Sequence, residues 1–178
     1  MKSKDILLLL KLVSLEQSPS AASKEHYSVR GLEASTGISK SELSHALNRC
    51  VEVGLVARHH RTDLLQVNRR ALLGLLREGV KYVFPASLGA VVRGMPTAFA
   101  APGLQGKVMS AGDLIPVWPH AQSSQMGQGV KPLHKSVPEA ASKDANLYDM
   151  LALVDAIRLG NAREAAVAAG LLEEIFAQ

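Results

Sequence analysis

The chain predicts a mainly α-helical protein with one small β-hairpin in its first half, a Pro/Gly-rich extended arm in the middle and a helical hairpin at the end. Three observations carry this. Apolar residues recur at three- and four-residue steps behind capping residues at Ser28, Ser39 and Asn68. Seven of the eight prolines fall between residues 84 and 140, a density that prevents long helices. Helical spacing then resumes and is broken by Gly160. The expected division is 1–83, 84–140 and 141–178.

Composition sets the bounds. With 178 residues, 47% hydrophobic and 20% charged, the chain has an ordinary globular make-up and enough apolar material for a sizeable core. Aromatics are only 4%, so that core is aliphatic and alanine-rich. A single cysteine, Cys50, excludes an internal disulfide framework and a cysteine-based zinc site. The apolar run at 6–15 is too short to cross a bilayer and is interrupted by Lys11 and Ser14. No small-residue cleavage site follows it, and Asp5 interrupts the basic start, so the expected location is the cytoplasm, with no membrane contact. Charge is uneven: residues 1–93 hold 14 Lys and Arg against 8 Asp and Glu, and residues 94–178 hold 6 against 8. A basic first half suits contact with nucleic acid.

The first helix is expected from after Ser3 to about Glu16, with almost no polar face. A helix apolar all round is buried on several sides. Either a second copy, in a homodimer, or the chain's own C-terminus covers it. Residues 17–27 are small, polar and interrupted by Pro19, which makes a surface loop. Tyr27, Ser28 and Val29 are expected to form a short strand. Ser28 caps a second helix through Val29, Leu32, Glu33 and Ala34, and Gly37 stands where a helix end tolerates positive φ. Ser39 and Glu42 form a capping box at the head of a third helix, 39–53. Its inner stripe is Leu43, Ala46, Leu47, Cys50 and Val51. Its opposite face, Lys40, Ser41, Ser44, His45, Asn48 and Arg49, is rich in donors and nearly free of carboxylates. In a major groove, Lys40 and Arg49 would meet phosphates, and Ser41, Ser44, His45 and Asn48 base edges, with Ser39 at the helix start. Residues 57–68 then read as two short strands flanking the basic tip Arg58, His59, His60 and Arg61.

Gly37-Ile38-Ser39 between short helices, Val53-Gly54-Leu55-Val56 after the longer one, and the basic hairpin resemble the winged helix-turn-helix of regulators such as the MarR-like group. The resemblance is one of pattern and covers about residues 4–83. It implies a winged helix-turn-helix domain that binds double-stranded DNA as a homodimer and regulates transcription in the prokaryotic style. Helix 39–53 would enter the major groove and the wing at 57–68 would touch flanking phosphates or the minor groove. His59 and His60, as strand neighbours, would point to opposite faces and cannot readily share a metal ion.

Asn68 can cap a helix from Arg69 to about Tyr82, whose inner stripe is Ala71, Leu72, Leu75, Leu76 and Val80. Its charges, Arg69 among them, are expected in solvent. In the arm, Val91, Val92, Met95, Phe99, Leu104, Val108, Leu114, Ile115, Val117 and Trp118 require burial. The arm would pack across the domain or onto a partner, with Trp118 as anchor, and 122–129 would be its most mobile part. A Trp118 that captures a separate protein would make this an antitoxin-like or adaptor module instead. The closing hairpin starts at Ser142 or Asp144, turns at Gly160, and restarts with an Asn161–Glu164 capping box. It would pack on the first helix of its own chain or of a partner.

No catalytic constellation, metal site or cofactor is expected. Residues 89–94 lack the lysine of a phosphate loop, and no Gly-x-Ser-x-Gly elbow occurs. His120 and His134 have no ligand-like neighbours in sequence, and Asp149 and Asp155 read as solvated helix charges.

Overall fold

The computed structural model describes residues 1–18, 23–107 and 114–178; loop residues 19–22 and the arm's Val108 and Gly112 lie outside them. The chain is mixed α/β. Its first helix, α1 (Ser3–Gln17), is capped by Lys2, whose N–H reaches Asp5 Oδ2 at 2.7 Å. Every residue from 5 to 15 is buried. The cover comes from the same chain: α2 (Val29–Thr36), α3 (Lys40–Glu52), strand β2 (Leu65–Val67) and α7 (Ala145–Leu159) all pack on α1. The surplus apolar surface that suggested a partner at α1 is therefore met in cis by the terminal hairpin. Polar ties fix that contact, because Lys11 Nζ and Ser14 Oγ each lie 2.7 Å from Asp144 Oδ2. Asp144 Oδ1 in turn accepts the Leu147 N–H at 3.0 Å and caps α7.

Ser28 caps α2, accepting from the Gly31 N–H at 3.0 Å. The expected strand at 27–29 is absent: residues 24–27 form a turn and Val29 already belongs to α2. Gly37 closes α2 at φ 67°, a conformation glycine adopts without a Cβ penalty. Ser39 caps α3, but the box is only half formed. The Glu42 carboxylate takes the Ser39 hydroxyl and the Lys4 ammonium instead of the Ser39 N–H. Together they hold Glu42 down to about 2. Leu43, Ala46 and Cys50 face the core, whereas Val51, expected in the same stripe, is 49% exposed. Strand β1 (Val56–Arg58) pairs antiparallel with β2, Val56 opposite Val67 and Arg58 opposite Leu65. Asp63, at φ 58°, turns the loop between them.

The next helix is segmented: α4 (Arg69–Gly74), a π turn (Leu75–Gly79) and α5 (Val80–Val83). Arg69 is not a solvated charge, since its Nε lies 2.9 Å from Glu16 Oε2 and its guanidinium also reaches the Phe176 carbonyl.

The middle segment departs most from expectation. It forms no simple arm but a small closed sheet of β3 (Leu88–Pro96), β4 (Pro116–Pro119) and β5 (Met126–Val130), each strand pairing with the other two. β3 is antiparallel to both, and β4 runs parallel to β5. Glycines that read as breakers are the points of closure. A Cβ on Gly94 would stand 2.3 Å from the Trp118 carbonyl oxygen, and one on Gly127 2.2 Å from that of Ile115. Pro96, Pro116 and Pro119 occupy strand ends, where a missing N–H is tolerated. Part of the stretch expected to be most mobile is β5 itself.

Helix α6 (Val137–Ser142), unforeseen in a proline-rich run, accommodates Pro138 in its first turn. It leads to α7 and α8 (Ala162–Phe176), a helical hairpin with a complete Asn161–Glu164 capping box. Asp155 on α7, read as solvated, is fully buried. It accepts from Thr97 Oγ1 at 3.0 Å, Trp118 Nε1 at 2.5 Å and Arg158 at 2.5 Å. Burial pushes its carboxyl up, and those three donors pull it back. Arg158 extends the network to the carbonyls of Phe84 and Lys131. One hydrophobic core therefore runs through all three sequence segments.

Candidate nucleic-acid interface

The outward face of α3 is set by its amphipathic spacing: while Leu43, Ala46 and Cys50 lock it onto α1 and α2, Lys40, Ser41, Ser44, His45 and Asn48 stay in solvent. Among the described residues no side-chain partner engages Ser41, His45 or Asn48. Ser44 Oγ donates to the Lys40 carbonyl at 3.0 Å, a bond exchangeable for an outside acceptor. Ser39 is less available, because its hydroxyl is engaged by Glu42.

Arg49 is a correction. It does not project with the donor face but turns back to Asp5 at the head of α1, with Nε–Oδ2 2.9 Å and Nη2–Oδ1 2.5 Å. Asp5 is wholly buried, so this bidentate pair clamps α3 to α1. Sequence spacing could not separate the two fates: residue 49 borders the apolar stripe, and its partner lies 44 positions away.

Beside α3 stands the hairpin tip. Arg58, His60 and Arg61 are exposed, and the His59 and His60 rings stack at 5.0 Å. They are not on opposite faces, because the strand ends at Arg58, His59 closes the hairpin with its N–H on the Leu64 carbonyl, and His60 opens the turn. Among the described residues no group of three or more His, Cys, Asp or Glu could hold a metal ion. A groove between α3 and the hairpin is lined by Val29, Ser44, Asn48, Val51, Glu52 and Arg58.

Several cations of the first half are engaged internally: Lys4 with Glu42, Lys11 with Asp144, Arg49 with Asp5, Arg69 with Glu16. Near α3 the picture differs. Lys40 meets Glu33 only at 3.8 Å and Arg58 meets Asp63 at 3.6 Å, and all four side chains are exposed. Exposed pairs of this kind contribute about 0–1 kcal/mol, so a phosphate can displace either carboxylate. Arg61 has no ion-pair partner among the described residues, and neither has Arg30, next to the groove residue Val29. Arg30, which carries no signal in the sequence, is exposed in the first turn of α2, the helix that packs on α3.

The rear of this unit is braced by the C-terminal half. Ser136 Oγ donates to the Thr36 carbonyl at 2.6 Å, and Lys143 Nζ to that of Ala34 at 3.2 Å. These contacts hold the α2–α3 turn from behind and leave the outer face of α3 open.

Trp118 is a second correction. It is 1% exposed, donates to Asp155 and stacks obliquely on Tyr148 at 5.6 Å. It anchors the small sheet to α7 and is not available to a separate protein. Comparison with protein-family models, curated proteins and solved structures yields no match.

Proposed function

We propose that this chain is a winged helix-turn-helix protein that binds double-stranded DNA and acts as a dimeric, prokaryotic-style transcriptional regulator. The observation that carries the reading is the uncovered polar face of α3, Lys40, Ser41, Ser44, His45 and Asn48, beside a hairpin tip bearing Arg58 and Arg61. Asn48 suits the paired donor and acceptor of an adenine edge, and Ser41, Ser44 and His45 offer single hydrogen bonds. Lys40, Arg58, Arg61 and Arg30 serve phosphates or a narrow minor groove. Arg49 belongs to the scaffold. The adaptor reading loses the residue that favoured it, since Trp118 is internal.

The roles separate experimentally. Lys40→Ala and Arg61→Ala weaken binding to every duplex and each lower the salt slope by about 0.9. Asn48→Ala leaves the slope unchanged and reduces discrimination between a selected site and random duplex by about 1–3 kcal/mol. The roles are wrong if the three variants behave alike.

A further inference from the structure

One apolar element interrupts the polar face of α3. Lys40, Ser44, Leu47 and Val51 follow one another at three- and four-residue steps, so they form a single edge of the helix. That edge opens with a cation and closes with a bare valine. Leu47 is half-buried against the core, whereas Val51, in the last turn, is 49% exposed. Helix stability does not call for valine there, because a β-branched side chain is a poorer helix former than alanine. Val51 stands in the wall of the groove between α3 and the hairpin, a space of about 540 Å³ that Asn48, Glu52 and Arg58 also line.

The charges around the groove bear on what enters it. Lys40 and Arg58 are tied only loosely, to Glu33 at 3.8 Å and to Asp63 at 3.6 Å, which favours a polyanion. Glu52 is exposed beside Val51 and has no ion-pair partner among the described residues. Its carboxylate repels phosphate oxygens, so a duplex turns base edges, and not its backbone, towards this last turn. In the major groove those edges present donors, acceptors and, on thymine alone, a methyl group. An apolar side chain set among residues that read base edges has that methyl as its complement.

We propose that Val51 is a specificity-determining residue that packs on the 5-methyl group of a thymine close to the adenine read by Asn48. Asn48 and Val51 are three residues apart on one helix, a rise of about 4.5 Å. A base pair rises about 3.4 Å, which puts the thymine within about two base pairs of that adenine. This deepens the DNA-binding function proposed above and rests on it.

The test uses the full chain and a duplex site that it selects from a random pool. Each thymine of the site is replaced singly by deoxyuridine, which lacks only the 5-methyl group. Affinities are measured for wild type, Val51→Ala and Val53→Ala. Val51→Ala keeps the fold, since the side chain is half exposed and alanine favours the helix. Val53, 54% exposed but outside the groove wall, is the control. Wild type and Val53→Ala should each bind about fourfold more weakly when one particular thymine loses its methyl, the effect of one buried group of that size. Val51→Ala should bind the thymine and deoxyuridine duplexes equally. The hydrogen-bonding groups are the same in both duplexes, so this ratio reads the methyl contact alone. A selected site without a fixed thymine, a wild type indifferent to every replacement, or an undiminished loss in Val51→Ala overturns the proposal and leaves the DNA-binding reading standing. So does a control that loses the effect as fully as Val51→Ala. No binding to the pool at low salt overturns both.

Discussion

Arg49→Ala separates scaffold from interface. The substitution removes both hydrogen bonds to Asp5 and leaves a carboxylate with no exposure behind it. Breaking a buried pair by removing one partner typically costs about 3–5 kcal/mol. Two features relieve Asp5: its place in the first turn of α1, where the helix dipole offers about 0.3–1 kcal/mol, and the Lys2 N–H at 2.7 Å. The expected loss is therefore near the lower end, about 3 kcal/mol. For a chain of this size each kcal/mol lowers Tm by roughly 2–4 °C, giving a drop of about 6–12 °C. Urea denaturation followed by circular dichroism measures the loss directly, and the double variant Asp5→Asn/Arg49→Gln should recover part of it. DNA binding by the fraction still folded should match wild type. A stability within 0.5 kcal/mol of wild type, combined with weakened DNA binding, would refute the clamp and return Arg49 to the DNA face.

Other consequences follow from the same contacts. Asp144→Ala removes the cap of α7 and the partner of Lys11, which is mostly buried, and should cost about 3 kcal/mol; Asp144→Asn keeps the cap and should cost visibly less in the same denaturation assay. Burial opposes ionisation of Asp144, but Lys11, the Leu147 N–H and Ser14 outweigh it and hold its carboxyl below the usual value. Its charge thus stabilises the fold above the ordinary carboxylate pKa of about 3.9, and that contribution fades as pH falls through the lower folded value. Wild type should therefore lose more stability on acidification to pH 2 than Asp144→Asn, measured by melting across pH. The lone Trp118 should emit at short wavelength and resist acrylamide, and emission near that of free tryptophan would contradict its burial. Burial pushes the Cys50 thiol up to about 12, so Ellman's reagent should react only at the rate of unfolding.

What the sequence disclosed was mostly local. Ser28, Gly37, Ser39, Asn68 and Asn161 each do at a helix end what their side chain or missing Cβ suggested. The bounds of α3, α7 and α8 follow from such signals. Long-range pairing was not legible. Gly94 and Gly127 look like breakers until Trp118 and Ile115 are brought against them, and only then does the middle segment become a sheet. Asp155 lies on a helix that is apolar on most sides, a sign of burial, but its partners Thr97 and Trp118 stand 58 and 37 residues away. Arg49 and Val51 border the apolar stripe of α3, where spacing alone does not decide which way a side chain turns. The face of Lys40, Ser41, Ser44, His45 and Asn48 was readable because it depends only on helical period, and these residues are all exposed.

The most direct test of the central claim is the salt dependence of binding to random duplex DNA, comparing the full chain with Lys40→Ala/Arg61→Ala. With Lys40, Arg58, Arg61 and Arg30 as phosphate contacts, log K should fall against log salt with a slope of about −4 per copy, and the double variant should lose about half of it. No binding at low salt, or a slope that the double variant leaves unchanged, would contradict the account.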